Sequence, residues 1–315
     1  MAAGPEKSGS RLEKVLRAGH FAVTAELGPP KSADGEVVAR KARTFAGFGD
    51  AFNITDNQTA IVRMTPLAAG ALALQSGVEP IMQMTCRDRN RMALQSDLLG
   101  ASALGIKNIL CMKGDPGKIG NHPDAKEVFD LDTMDLIRMA VKMRDEKKFL
   151  CGDDMKVAPR MMVGATENPF IQTLEERVKV LGFKVDAGAD FIQTQMVFNV
   201  PRFASWMELV RKAGRHAQIS LLAGVGVLKS AKMTRHMRDN VPGMDVPDAV
   251  LARIEAAEAK GEAAVQEEGI AIAVEVIQEL KKIEGVAGVH VMAVNWEEAV
   301  PEVVKRAGLH PRPAV

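Results

Sequence analysis

The sequence predicts a single α/β domain over residues 1–315, folded as a (β/α)8 TIM barrel. Eight apolar runs of strand length alternate with segments of helical periodicity, and eight such units close a barrel. Most of the runs start about thirty residues apart, which is typical of parallel strands joined by helical crossovers. A doubly wound open sheet is the alternative, but it normally carries a GxGxxG turn after an early strand, and this sequence has none.

The predicted elements follow from these patterns. The strands lie at 20–27, 51–57, 79–86, 108–115, 160–166, 191–198, 219–226 and 288–294. The helical segments lie at 34–47, 64–75, 90–104, 130–147, 172–187, 201–214, 229–239, 247–284 and 297–307. We interpret 247–284 as two helices joined near Gly261 and inserted before the last strand. No linker or low-complexity tract divides the chain, which indicates one domain.

Composition excludes several classes of function. The formal net charge of +1 gives no sign of a nucleic-acid partner or of an anionic membrane surface. The three cysteines, Cys86, Cys111 and Cys151, lack CxxC spacing, which argues against a zinc knuckle, an iron–sulfur cluster or a disulfide scaffold and favours a reducing cytoplasm. No apolar run approaches the ~20 residues of a membrane span, and residues 1–17 lack a signal-peptide core.

The stretch 108–117 carries the first indication of chemistry. It begins as an apolar strand and ends in Lys113-Gly114-Asp115-Pro116-Gly117, and neither Pro nor Gly extends a central strand. A lysine and a carboxylate are therefore delivered to the carboxyl end of a strand, where α/β barrels place their ligands. A surface turn after a core strand is the alternative interpretation.

Polar residues recur with one parity near the ends of five strands, although both faces of a parallel barrel strand are normally apolar. They are Thr24 and Glu26; Asn53, Thr55 and Asn57; Gln83 and Thr85; Lys113 and Asp115; and Gln193 and Gln195. The intervening residues, Met112 among them, are mostly apolar and are predicted to face the helices. The pattern predicts a polar mouth for a flat ring such as a flavin or a pterin. A polar network that satisfies itself is the alternative.

Glu26 is the candidate general acid. It lies on the inward parity and precedes Gly28-Pro29-Pro30, a rigid exit that holds it in place. Partial desolvation raises the pKa of a carboxyl group, which suits proton donation near neutral pH. A structural carboxylate that accepts backbone donors is the alternative. Asp115, with Lys113 nearby, is expected to stay ionised.

The remaining charged candidates have two interpretations each. Arg87, Arg89 and Arg91 either clasp a phosphate or form a solvated helix start. Lys184, at the end of a helix, either reaches a phosphate or complements the helix dipole. His290 lies inside an apolar strand, where a hydrogen-bonded core histidine is the favoured interpretation. No histidine shows metal-ligand spacing, and the sequence has no GxSxG motif and no Walker loop.

Five short motifs occur in order on the predicted strands and helices. They are Ala25-Glu26-Leu27-Gly28-Pro29-Pro30, Met84-Thr85-Cys86, Lys113-Gly114-Asp115, Val185-Asp186-Ala187-Gly188-Ala189 and Thr194-Gln195. Through them the chain, from about residue 21 to residue 311, resembles the methylenetetrahydrofolate reductase family. The resemblance implies a barrel that binds FAD at its C-terminal mouth and reduces 5,10-methylenetetrahydrofolate to 5-methyltetrahydrofolate.

The resemblance also implies roles for particular residues. Glu26 matches the general acid that assists opening of the folate's five-membered ring. Asp115 matches a carboxylate beside the flavin pyrimidine ring and the folate pterin, and Gln195 matches a glutamine that contacts the folate. Thr55, Gly114 and Lys184 match flavin-contacting positions, with Lys184 near the phosphates. Gln83 and Lys113 also match flavin contacts, but many members have His where this chain has Gln83 and Arg where it has Lys113.

Two departures from the family pattern affect the cofactor and the electron donor. The family's tyrosine over the flavin has no counterpart because the chain has no Tyr, and Thr166 and Asn168 fall in that region. The loop 224–230 also differs, so the pattern is closer to divergent, acetogen-like members. The donor therefore stays open between NADH or NADPH and a partner redox protein, and FMN is an alternative to FAD. A homo-oligomer or a subunit of a complex is expected.

Two other functions share the polar strand ends. A folate- or pterin-binding methyltransferase barrel would use them without a flavin. A barrel subunit that scaffolds an electron-transfer complex would need neither ligand.

Overall fold

The computed structural model describes residues 5–315, and within them the strands close into one parallel barrel in the order β1 to β8. The strands are β1 (Ala22–Leu27), β2 (Ala51–Ile54), β3 (Pro80–Thr85), β4 (Asn108–Met112), β5 (Met162–Glu167), β6 (Phe191–Met196), β7 (Ser220–Gly226) and β8 (Val286–Met292). The first and last strands pair, with Thr24 opposite His290. The predicted (β/α)8 TIM barrel is confirmed.

The helices follow the strands as predicted. They are α1 (Arg11–Arg17), α2 (Gly35–Phe45), α3 (Pro66–Gln75), α4 (Arg91–Ala103), α5 (Thr133–Asp145), α6 (Leu174–Asp186), α7 (Val200–Lys212), α8 (Ala231–Asn240), α9 (Asp248–Glu258), α10 (Glu262–Leu280) and α11 (Ala299–Arg306). The predicted break near Gly261 is confirmed, because Gly261 has φ 106° and separates α9 from α10. Such a positive φ favours glycine.

Hydrogen-bonding side chains begin most of these helices. Asn90 accepts from the backbone N–H groups of Met92 and Ala93, and Thr173 forms a reciprocal capping box with Glu176 at the start of α6. Within residues 5–315, no helix combines the length and the apolarity that crossing a membrane takes.

Helix α1 closes the amino-terminal end of the barrel. Its apolar residues Leu12, Val15 and Leu16 pack into one buried cluster with side chains from the starts of the strands. Those strand residues are Ala22, Ala51, Ile81, Leu110, Met162, Phe191 and Leu222. Because this end is filled with apolar side chains, the open space of the barrel lies at the carboxyl ends of the strands.

The predicted parity is confirmed for four strands and wrong for β4. Ala25, Ile54, Met84 and Ile192 belong to the cluster between the barrel and the helices, as predicted. In β4, however, Leu110 packs inside the barrel and Met112 packs against it, whereas Ile109 and Cys111 face the helices. The strand ends at Met112, so Lys113 and Asp115 belong to the following loop.

Candidate active site

A cavity of about 400 Å³ lies at the carboxyl ends of the strands. Eight of the residues that the sequence assigned to the polar mouth or to the site line it: Glu26, Asn53, Gln83, Thr166, Asn168, Lys184, Gln193 and Gln195. Its wall also includes Glu167, Arg177 and His290, which the sequence did not single out as site residues. Polar groups therefore gather at this end of the barrel as expected, although some of the residues that provide them differ from those predicted.

A closed layer of hydrogen bonds forms the floor of the cavity. The amides of Asn53 and Gln193 exchange two hydrogen bonds of 2.6 and 3.0 Å. Gln193 Nε2 also donates to Thr24 Oγ1 at 3.1 Å, and Thr24 Oγ1 lies 3.0 Å from His290 Nδ1. The polar groups of this layer hydrogen-bond one another, which agrees with the alternative interpretation of the polar strand ends. His290 is hydrogen-bonded, as expected.

Glu26 lies above this floor with its carboxylate free. Its side chain is 30% exposed, and Oε1 lies 4.0 Å from His290 Nε2. Among residues 5–315, no hydrogen bond engages the Glu26 carboxylate. A carboxyl group at the cavity wall that makes no hydrogen bond within the described chain can exchange a proton with a bound molecule.

Glu167, the last residue of β5, is held by two cations of α6. Its carboxylate accepts from Arg177 Nε at 2.8 Å and from Arg177 Nη2, and it accepts from Lys184 Nζ at 2.6 Å. The side chains of Glu167, Arg177 and Lys184 are 0%, 10% and 8% exposed. Burial lowers the pKa of Lys184, against the raising effect of the Glu167 charge.

This buried ion cluster, Glu167–Arg177–Lys184, could have been found from a weaker signal. Arg177 and Lys184 are seven residues apart, which places them on the same face of α6. Glu167 ends a strand whose earlier residues are apolar or small. Each of these features is common alone, so sequence reasoning identified only Lys184.

Four predicted residues lie in loops at the same rim, outside the cavity wall. Asp115 is exposed, and its carboxylate accepts the Thr59 N–H at 2.7 Å. Lys113 Nζ lies 5.8 Å from the centre of the Phe129 ring. Thr55 is buried and donates to Gln58 Oε1 at 2.8 Å.

Gly114, the fourth of these residues, needs to be glycine. Its φ is +93°, and an added Cβ would lie 3.0 Å from Thr85 Cβ and 3.1 Å from Arg87 Cβ.

Glu26 and Asp115 are at one end of the barrel, as predicted. The inward parity expected for Lys113 and Asp115, however, is wrong.

The three arginines after β3 are engaged by carboxylates of the chain. Arg87 donates to Asp88 at 2.7 Å, Arg89 pairs with the buried Asp56, and Arg91 donates to Asp130 at 2.8 Å. Arg87 Nη1 also donates to the Asp115 carbonyl oxygen at 2.9 Å. Because all three arginines are paired in this way, none is free to clasp a phosphate. For Arg87 these contacts also argue against a solvated helix start.

The cavity wall fits the ring of a flavin. Within residues 5–315, no hydrogen bond engages Gln83 Nε2, Thr166 Oγ1 or Gln195 Nε2. Amide and hydroxyl groups of this kind match the carbonyl oxygens and nitrogens at the edges of an isoalloxazine or pterin ring. On this wall, in the described part of the chain, the phosphates of a flavin would find no free cation, because Arg177 and Lys184 are both paired with Glu167.

Comparison with known proteins gives a family match over most of the chain. The sequence profile of methylenetetrahydrofolate reductase matches residues 11–308. Methylenetetrahydrofolate reductase 1 of Schizosaccharomyces pombe is 27% identical over 247 residues, which cover 78% of this chain and 38% of the relative. A probable methylenetetrahydrofolate reductase (NADPH) of Caenorhabditis elegans is 22% identical over 309 residues, which cover 95% and 44%. The chain thus spans less than half the length of these curated relatives.

Two solved structures share the barrel. An uncharacterized protein from Clostridium thermocellum that binds two copies of 5-methyl-5,6,7,8-tetrahydrofolic acid has a TM-score of 0.65 at 13% identity, covering 93% of this chain and 98% of that one. A riboflavin lyase with modified FMN and riboflavin has a TM-score of 0.53 at 10% identity, covering 91% and 92%. At such identities the likeness shows the fold alone.

Proposed function

Because the chain belongs to the methylenetetrahydrofolate reductase family, we propose that it reduces 5,10-methylenetetrahydrofolate to 5-methyltetrahydrofolate. The reaction would take place in the cavity at the carboxyl ends of the strands, with Glu26 as the general acid. The observation that carries the proposal is the free carboxylate of Glu26 in a cavity whose other acidic side chain, Glu167, is fully paired.

Glu26 is suited to deliver the proton that opens the folate's five-membered ring. Ring opening breaks the bond between the bridging carbon and its leaving nitrogen, which takes the proton, and it leaves an iminium on the other nitrogen. A positioned acid contributes about 10²–10⁴-fold to such a step. The Glu26 carboxylate has no competing hydrogen bond among the described residues, so a protonated Glu26 can donate to the substrate.

The cofactor proposed is a non-covalent flavin, with FAD as the family implies and FMN as the alternative. When bound and reduced, a flavin supplies the hydride from N5 that the exocyclic carbon of the iminium accepts. Gln83, Thr166 and Asn168 are proposed to contact the flavin ring, and Gln195 the folate. All four line the same cavity, which supports this assignment. Residues placed in this way could hold the two rings face to face, and such positioning provides much of the rate.

Asp115, Lys113, Gly114 and Thr55 are proposed to act from the loops at the rim. Asp115 is the one for which a chemical role is proposed, as a fixed negative charge near both rings. Its loop is held at the mouth by the Thr59 N–H and by Arg87. Lys184, which the family resemblance places near the flavin phosphates, is paired with Glu167.

The electron donor, the assembly and the compartment are further proposals. NADH, NADPH or a partner redox protein would reduce the flavin, the protein would work as a homo-oligomer or within a complex, and the cytoplasm is the expected location. Anaerobic reduction assays with NADH, NADPH and reduced ferredoxin, each with and without cell extract, would identify the donor. The size of the native particle in solution would test the assembly.

The purified protein provides the direct test of function. We expect a yellow protein whose flavin spectrum bleaches anaerobically when 5-methyltetrahydrofolate is added, because the reaction then runs in reverse. The Glu26→Gln variant should keep the flavin and bleach far more slowly. A colourless protein that binds folate would instead indicate the methyltransferase, and a protein that binds neither ligand would indicate the scaffold.

A further inference from the structure

The only cations on the wall of the cavity, in the described part of the chain, are Arg177 and Lys184. One carboxylate holds both of them. Arg177 donates to Glu167 through Nε and Nη2, and its Nη1 donates to Gln172 Oε1 at 3.2 Å. Lys184 Nζ donates to Glu167 Oε2 and to the Thr166 carbonyl oxygen, both at 2.6 Å. Both cations therefore already have hydrogen-bond partners within the protein.

The charge of the cavity wall leads to the same conclusion. Two acidic side chains, Glu26 and Glu167, balance the two basic ones, Arg177 and Lys184, so the formal charge of the wall is zero when His290 is neutral. A phosphate that approaches Lys184 must also approach the buried carboxylate of Glu167. Repulsion between like charges is strong where water is largely excluded.

We propose that Glu167 makes this cavity selective for the uncharged ring of its cofactor, and that Lys184 and Arg177 do not bind the cofactor's phosphate. This inference rests on the proposed flavin-dependent function and assigns Glu167 as a specificity-determining residue. Ring contacts from Gln83, Thr166 and Gln195 then provide the affinity, and the phosphate of a bound flavin lies away from α6.

The selectivity can be measured by titrating riboflavin and FMN, which differ by one phosphate, into the flavin-free protein and following flavin fluorescence. The wild-type protein should bind the two within about threefold of each other. Glu167→Gln releases Lys184 and Arg177 from their partner, and a freed charge-assisted contact is expected to tighten FMN by about 10–100-fold relative to riboflavin. That preference should weaken as salt is raised.

A double variant controls for the charge left behind by Glu167→Gln. Glu167→Gln with Lys184→Met restores the net charge of the cluster but leaves Arg177 without its carboxylate partner, so its preference for FMN over riboflavin should lie between that of the wild type and that of Glu167→Gln. Lys184→Met alone should leave the ratio of FMN affinity to riboflavin affinity at its wild-type value. Comparing Lys184→Met with the wild type decides the question even if Glu167→Gln does not fold.

Two results would overturn the inference. One is wild-type protein that binds FMN at least tenfold tighter than riboflavin, with the preference lost in Lys184→Met. The other is wild-type protein that binds neither riboflavin nor FMN, because contacts with the ring would then not provide the affinity. Equal binding of both flavins without bleaching by 5-methyltetrahydrofolate would support the selectivity and overturn the reductase proposal alone.

Discussion

Two glutamates reach the same cavity from opposite sides of the barrel, Glu26 on β1 and Glu167 at the end of β5. Glu26 is 30% exposed and has His290 Nε2 at 4.0 Å as its nearest ionisable partner. Glu167 is fully buried and accepts hydrogen bonds from Arg177 and Lys184. The fold thus leaves one carboxylate of the cavity without a hydrogen bond and pairs the other with two cations, and only the first is proposed to transfer a proton.

The largest effect expected from this comparison is kinetic. Glu26→Gln keeps the shape of the side chain and removes its proton, so the rate of flavin reduction by 5-methyltetrahydrofolate should fall by about 10²–10⁴-fold. Stopped-flow absorbance under anaerobic conditions measures that rate. The exposed Glu302 on α11 offers the matched control, and Glu302→Gln should react at the wild-type rate. An unchanged rate in Glu26→Gln would remove Glu26 from the mechanism.

The second effect is on stability, and it should be specific to Glu167. Glu167→Ala leaves two buried cations without their partner, a change that typically costs about 3–5 kcal/mol of unfolding free energy. Glu26→Ala removes no hydrogen bond within the described chain, so its cost should stay within about 0.5 kcal/mol. Urea unfolding followed by circular dichroism measures both. Equal losses in the two variants would contradict the division of roles.

The sequence pattern predicted the inner face of β1, with Glu26 at the cavity, but assigned the wrong parity to β4. The register of the sheet explains why. In β1, Thr24 and Glu26 alternate with buried apolar residues, so the strand itself specifies its inner face. In β4 both parities are apolar from Ile109 to Met112. The inner face is then determined by pairing, because Leu110 lies opposite Gln83 of β3. A local pattern does not contain that information.

The Glu167–Arg177–Lys184 cluster escaped prediction for a related reason. Its three members belong to a strand end and the following helix, and each alone has an ordinary structural explanation. The spacing of strands and helices fixes the order of the barrel and the end at which side chains gather. It does not specify which charges neutralise each other, since that depends on side-chain positions in the folded chain.

A third, smaller effect is expected from the floor beneath Glu26. His290→Leu removes the contacts of the ring with Thr24 and Asn53. Thr24 Oγ1 keeps an acceptor in the Val289 carbonyl oxygen at 3.4 Å, and Asn53 stays bonded to Gln193. The unfolding free energy should therefore fall by only about 0.5–1.5 kcal/mol, with a rate within about tenfold of wild type. A rate as low as that of Glu26→Gln would give His290 a share in the proton transfer.

The smallest structural effect should come from Asp115, a third carboxylate at this rim. In Asp115→Asn the amide oxygen can still accept the Thr59 N–H that the carboxylate now accepts at 2.7 Å. The unfolding free energy should thus stay within about 0.5 kcal/mol of wild type. The charge, however, is lost, so the flavin reduction potential or the folate affinity should change if Asp115 acts on the bound rings. Redox titration and folate binding measure the two quantities, and wild-type values for both would limit Asp115 to holding the loop.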